Sequence, residues 1–381
     1  MRILVIPSWY KSDYKPHKGS FFREQALSLA KAGHEVALLH VHQYYLKDAW
    51  NNRWFRLGLE RYVDAGLLTQ VFHVPALPLL KKMNQMVLLA CGKYLFGRCL
   101  SDWGEPDIVQ LHSYRSGPIA CWIKDEYGTT FVVTEHSSVF YRKDLAAKDY
   151  ASIKRTYQEA ARRFAVSPAL VSRLNQLFSL DFGYLPNSVM DDFFGTVRKT
   201  ADATFTFLHI GYLKKIKNQA LLISAFGLAS AQDASLRLII IGDGPERKNL
   251  QELVSDLKME SRIELRGALD RSEVVAAMAE GDAFVLASAY ETFGVVLIEA
   301  LAAGLPVVST RCGGPESIVA DGSLGILCDI DETSLAEAMI RCRRTVYDRD
   351  RIRAYAYENF SEEVVVAKLT QTYRETAGEH A

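Results

Sequence analysis

The sequence predicts an α/β protein built of two doubly wound domains in tandem. Two observations carry this. Short apolar runs alternate with helical spacings from the first residues onward, and that rhythm lapses in the polar stretch "FFGTVRKTADAT" before it restarts. Runs such as "RILVIP" and "LRLIII" are continuously apolar rather than alternating, the pattern of parallel strands covered by helices on both faces. A length of 381 residues with 49% hydrophobic content allows two sizeable cores.

The elements follow in order. "RILVIPSWY" is an apolar run ended by turn residues. "SFFREQALSLAKAG" has Phe22, Ala26, Leu29 and Ala30 at helical spacing and stops at Gly33, and "EVALLHVH" is the next strand. "PDIVQLHS", the helix "GPIACWIKDEYG", "TTFVVTEHSS" and "RRFAVSP" continue the pattern. Beyond the linker come "FTFLHIG", "NQALLISAFGLAS", "LRLIIIGDG", "RKNLQELVSDLKM", "IELRG", "SEVVAAMAEG", "AFVLAS", "VVLIEALAAG" and "PVVST", strand and helix by turns. The last stretch, "NFSEEVVVAKLTQTYRE", is a helix with Ser361 as N-cap and Glu362 and Glu363 in its first turn. The expected boundaries are 1–190, 191–360, and a terminal helix 361–381 packed back on the first domain.

Formal net charge is zero, but residues 1–190 carry 24 Lys+Arg against 16 Asp+Glu, and the second half has the opposite balance. No nucleic-acid partner is expected; the basic first half suits an anionic or membrane surface. Six cysteines without a CxxC spacing read as reduced thiols of a cytoplasmic protein. The N-terminal apolar run is too short for a signal segment, and no uncharged stretch reaches about 18 apolar residues. Residues 50–100 hold seven Lys+Arg against two acids, interleaved with aromatic residues. On helices, that pattern suits the inner face of an anionic membrane, though it equally suits helices that cover the first sheet.

Doubly wound sheets bind ligands beyond the carboxyl ends of their strands, at the switch point, so the loops there are where chemistry is sought. In "YETFGVVLIEALAAG", Glu291 and Glu299 lie at the two edges of an apolar run. Phe293, Gly294 and Val295 mark a loop-to-helix junction whose free amides and dipole make an anion site. Carboxylates on either side suit vicinal hydroxyls. A diphosphate flanked by hydroxylated rings is a nucleotide-sugar. Lys217, in "LHIGYLKKIKNQ", follows a strand and can neutralise a departing diphosphate. The glycines of "GDGPE", Gly242 first, permit a tight turn, with a structural role equally open. No Asp-x-Asp follows a strand, "DID" (329–331) reads as a helix start, and His40 and His42 lack a third ligand, so no metal is expected.

The E-x7-E string resembles the motif of family 4 glycosyltransferases. The similarity extends through "KGSFFREQALSLAKAGHEV", "VVTEHSS", "LPNSVMDDFF", "IGDGPE" and "GGPESIVADGSLGIL". It implies a GT-B fold of two Rossmann-like doubly wound domains with an interdomain cleft, and a retaining transfer from a UDP- or GDP-sugar to an acceptor hydroxyl without a required cofactor. The acceptor expected is a glycan or lipid-linked intermediate of cell-surface polysaccharide synthesis. By the same resemblance, Glu291 binds the transferred sugar, Glu299 the ribose, and the amides of 293–295 the diphosphate and sugar. His136 approaches the donor sugar on the acceptor side, with His112 placed similarly and Glu135 beside it as a candidate to orient it. Gly19 contacts donor phosphates or acceptor, and the backbone at Arg266 and Gly267 meets the base. The family has Arg where this chain has Tyr212. Either Lys214 or Lys215 compensates, or the chain is a weak or altered catalyst, or it binds a nucleotide-sugar without turnover. An epimerase or hydrolase acting on the donor alone is the remaining alternative.

Overall fold

The structure is a computed structural model that describes all residues except 12–18, 46–55, 79, 142–146, 198–203 and 379–381. The chain divides into two compact units: Met1–Val166 with Leu170–Leu185 and Val365–Ala381, and Ser167–Ala169 with Pro186–Val364.

The first unit is built on an eight-stranded sheet. Its strands are β1 (Arg2–Pro7), β2 (Glu35–Tyr45), β3 (Gly58–Asp64), β4 (Leu67–Ala76), β5 (Ile108–His112), β6 (Phe131–Glu135), β7 (Arg162–Ala165) and β8 (Gly183–Tyr184), in spatial order 3-4-2-1-5-6-7-8. All neighbours are parallel except β3 and β4. Order reverses between β1 and β5, whose register pairs Pro7 with His112, so the loops after these two strands flank the switch point. The terminal helix Glu362–Gly378 completes this unit's core: Val365, Val366, Leu369 and Tyr373 pack with Ile3, Val5 and Ile108. The buried Tyr373 hydroxyl donates to Gln110 Oε1 at 2.6 Å. The amide of Val364 donates to Ser361 Oγ, the cap expected for this helix.

The second unit has strands β9 (Phe205–Ile210), β10 (Leu236–Ile241), β11 (Ile263–Gly267), β12 (Ala283–Leu286), β13 (Val307–Thr310) and β14 (Gly325–Cys328). Their order is 11-10-9-12-13-14, all parallel. β12 is buried at every position, which is why it reads as an unbroken apolar run. The switch point lies between β9 and β12.

Two expectations need correction. The basic-aromatic stretch near residue 60 is not helical. Gly58–Asp64 is an edge strand in which alternate residues, Leu59, Arg61 and Val63, face solvent; residues 50–55 lie outside the described residues. The expected boundary at 190/191 falls inside the second unit, which takes in the chain from Pro186 to Val364.

Candidate functional site

In the second unit the loops leaving β9 and β12 meet. The first runs through Tyr212 and a short 3-10 turn, Lys215–Lys217. The second runs through Ser288 to Glu291 and ends at helix Val295–Ala302. Lys217 Nζ donates to Glu291 Oε1, and Ser288 Oγ donates to the same oxygen at 2.9 Å. The Ala289 amide donates to Ile216 O at 2.9 Å, a second tie between the loops. Both side chains of the ion pair are mostly buried, so the charges meet where water screens them weakly.

The Glu291 backbone is fixed from its other side. Its amide donates to Cys312 O, and its carbonyl accepts from the Gly314 amide, each at 2.9 Å. Glycine is required opposite. A Cβ on Gly313, whose φ is +111°, would stand 2.9 Å from Glu291 O, and one on Gly314 would stand 2.2 Å from Phe293 O.

Gly294 precedes helix Val295–Ala302 with φ +104°, a conformation that favours glycine. The amides at this helix start have no intrahelical carbonyl to bond. Phe293 is buried, its ring 6.0 Å from that of Phe360. Glu299, in the second turn, does not meet Glu291. Its carboxylate is paired with Arg271, whose Nη1 lies 2.6 Å from Oε1.

Gly242 and Gly244 serve the Tyr212 loop. Their Cβ atoms would fall 2.0 Å from Gly211 O and 2.3 Å from Leu213 O, and Leu213 N donates to Asp243 O at 2.9 Å. The "GDG" turn is thus a brace that sets the height of the loop bearing Tyr212 and Lys217. Tyr212 itself is 58% exposed, and Lys214 and Lys215 are exposed beside it. The guanidinium of Arg266 is taken up by Glu264 and Glu280, and these partners hold it above its ordinary pKa. Next to it, Gly267 O accepts from Gly242 N at 2.7 Å, a tie from this strand to the "GDG" turn.

The first unit gathers Gly19, His112 and His136. Gly19, at φ +72°, opens helix Ser20–Lys31 so closely under Trp9 that a Cβ would lie 2.9 Å from its carbonyl. The next turn sends Phe22 against the imidazole of His112, with ring centroids 4.5 Å apart, and Phe21 and Phe22 toward His136. Nδ1 of His112 and Nε2 of His136 share a hydrogen bond of 3.1 Å. Burial pushes His112 down to about 3 and His136 well below the ordinary range, so both rings are neutral at pH 7. His136 Nδ1 is buried and has no hydrogen-bond partner among the described residues.

Glu135 does not orient the His136 ring. Its buried carboxylate accepts from Ser113 Oγ, from Tyr157 Oη at 2.7 Å, and from the amides of Tyr114, His136 and Ser137. Burial raises its pKa while these donors oppose the rise. It is a rivet for the loops leaving β5 and β6, and it holds Ser113 at φ +64°, outside the favoured regions for its residue type.

Ser288 and Arg271 were missed by sequence reasoning, and Gly313 and Gly314 stood in the quoted "GGPESIVADGSLGIL" without an assigned role. His209, on β9, is also buried and neutral, pushed down to about 4 by burial, with its Nδ1 against Val285 O at 2.9 Å. Asp331 caps a helix, as read from "DID", through the Ser334 amide. No group of three metal-ligating side chains occurs among the described residues.

A family profile described as glycosyl transferases group 1 matches residues 196–359, and one described as glycosyl transferase 4-like domain matches residues 19–181. An N-acetyl-alpha-D-glucosaminyl L-malate synthase of Bacillus anthracis is 33% identical over 172 residues, 44% of either chain. A D-inositol 3-phosphate glycosyltransferase of Pseudarthrobacter chlorophenolicus is 25% identical over 304 residues, 73% of this chain and 72% of its own. The match thus spans less than half of the first relative. Among solved structures, Anabaena HepE in complex with UDP aligns with a TM-score of 0.74 at 16% identity, over 98% of this chain and 100% of its own. Two parallel-sheet units, the two profiles that together take in most of the sequence, and these relatives lead to one assignment: the chain belongs to the group 1, family 4-like glycosyltransferases, and its fold is GT-B.

Proposed function

We propose that this protein transfers a sugar from a UDP- or GDP-sugar to a hydroxyl of a glycan or lipid-linked acceptor, with retention of anomeric configuration and without a required metal. The observation that carries the reading is the Lys217–Glu291 pair beside the Gly294 helix start at the switch point of the second sheet. A cation and a carboxylate meet there, and the loop that carries the carboxylate runs into a helix start whose amides have no intrahelical carbonyl to bond: these are the groups a sugar diphosphate needs. Lys217 is paired with Glu291; in this reading a diphosphate competes with Glu291 for it, and the freed carboxylate accepts sugar hydroxyls. In the transfer step the C1–O bond to the diphosphate breaks, Lys217 and the 293–295 amides steady the departing negative charge, and the acceptor oxygen bonds C1 from the same face. The acceptor's proton passes to the departing phosphate oxygen. His136, neutral and with Nδ1 buried without a partner among the described residues, serves the acceptor side as a hydrogen-bonding group rather than a cation. The UDP in the HepE structure agrees with this choice of donor class.

The acceptor reading draws support from helix Lys81–Asp102. Its first turns expose Met83 and Met86, the latter 70% exposed, next to Lys81 and Lys82. Asn84 clamps this start by bonding both the amide and the carbonyl of Leu77 at 2.8 Å. A firm apolar tip with two lysines suits the anionic inner face of a membrane, where lipid-linked acceptors reside. No helix among the described residues is long and apolar enough to cross a bilayer.

The test is nucleotide release from UDP- and GDP-sugars with and without added glycan or polyprenyl-phosphate-linked acceptors. Acceptor-dependent release supports transfer. Release that ignores acceptor indicates a hydrolase. Nucleotide binding without turnover favours a non-catalytic binder, the reading that the exposed Tyr212 at the family's Arg position keeps in play.

A further inference from the structure

Glu299 is held by an assembly that no single stretch of sequence announces. It is 5% exposed, and a buried carboxylate left unpaired is costly. Arg271 supplies the partner. It is the first residue of helix Arg271–Met278, and a capping box between Asp270 and Glu273 fixes where that helix begins. The guanidinium carbon lies 4.8 Å from the centroid of the buried Phe193 ring, and Nε lies 3.5 Å from the sulfur of Met190. Three separate segments therefore converge to aim one guanidinium at one carboxylate: the turn near 190–193, the helix start at 270–273, and helix Val295–Ala302.

We propose that Arg271 is a positioning residue for donor recognition, holding the Glu299 carboxylate in the orientation in which it accepts the ribose hydroxyls. The inference rests on the nucleotide-sugar reading of the site. A carboxylate has about four acceptor positions on two oxygens, so one guanidinium bond leaves room for a vicinal diol. The planar guanidinium stacks on the aromatic face and points its N–H groups in fixed directions. Lysine would offer a point charge on a flexible stem, with no plane to stack and no preferred direction.

The experiment is calorimetric titration with UDP, GDP, 2′-deoxy-UDP and 2′-deoxy-GDP, on the wild type, Arg271→Ala and Arg271→Lys. The wild type is expected to prefer the ribonucleotide over its deoxy counterpart by on the order of tenfold or more, the effect of one hydrogen bond to a charged group. Arg271→Ala is expected to bring that ratio toward one, and Arg271→Lys to restore it only in part. A purely structural Arg271 would lower the melting temperature and leave the ratio as in the wild type; that result overturns the proposal. A wild type that binds both forms equally overturns it by removing the ribose from Glu299. A wild type that binds neither nucleotide overturns the donor reading itself, and this inference with it.

Discussion

Lys217 and Glu291 come from loops after two neighbouring strands, β9 and β12, and are joined as an ion pair at the point where the strand order of the second sheet reverses. The pair is braced at each end: the 211–213 stretch rests on the "GDG" turn, and Glu291 is bonded through its backbone to the 312–314 loop. Such bracing keeps charged groups in place before any ligand arrives, which is the requirement for stabilising charge that develops during reaction.

Replacing Lys217 with Met removes the cation and keeps most of the stem. The expected loss in kcat is on the order of 10²–10³-fold, the scale for deleting one preorganised electrostatic contact. Glu291→Gln is expected to raise KM for the sugar nucleotide while binding of the free nucleoside diphosphate changes little. Steady-state kinetics and calorimetry on the two variants check both outcomes.

Gly242→Ala is expected to act at a distance. The new Cβ would meet Gly211 O at 2.0 Å, so the loop that bears Lys217 must shift. Nucleotide affinity should fall together with the melting temperature. Gly33→Ala is the control: Gly33 also has positive φ (+88°) but nothing within 4 Å, so it should cost only the backbone strain of about 1 kcal/mol and leave affinity intact.

Glu135→Ala strips the shared acceptor from the Ser113 hydroxyl and three amides at the ends of β5 and β6, and from the Tyr157 hydroxyl of helix Ala147–Glu159. Buried donors left without an acceptor cost about 1–3 kcal/mol each where water cannot reach them. The first unit is expected to lose several degrees of melting temperature, read by thermal denaturation. The His112–His136 bond should loosen, visible as a change in the imidazole NMR resonances.

Acid should destabilise the protein well before carboxylates titrate. His112, His136 and His209 are buried and neutral, with pKa values below the usual 6.5 and, for His112 and His209, down to about 3 and 4. Below pH 6.5 the unfolded chain binds protons at these positions and the folded chain does not. Their contribution is complete above pH 6.5 and is lost as pH falls toward 4 and then 3. Melting temperature measured between pH 8 and pH 4.5 should decline through the lower part of that range, and His209→Gln should flatten the decline.

Much of this was legible in the sequence, for a physical reason. Strands buried on both faces leave unbroken apolar runs, and a ligand site at a switch point must follow such runs, so Lys217, Glu291 and Gly294 stand out as polar or glycine positions next to them. Arg271 does not stand out. An arginine in the first turn of a helix looks like any solvated helix start, and its partner lies 28 residues further on. Glu135 was visible with two readings open, orienting His136 or holding structure, because the donors that decide between them, Ser113, Tyr114 and Tyr157, lie far from it in sequence. The edge strand Gly58–Asp64 was hidden because Leu59 and Val63 stand on its exposed face while Glu60 and Asp64 stand on the less exposed one, so hydrophobicity does not follow burial along it.

The most direct measurement is calorimetric titration of the purified protein and of Glu299→Ala with UDP and GDP, without added metal. The expected result is one-site binding of one of the two nucleotides by the wild type, weakened at least about tenfold in the variant, as fits the loss of a hydrogen bond to a charged group. Binding of neither nucleotide by a folded wild type, or equal binding by both proteins, would contradict the assignment of this switch point as the donor site.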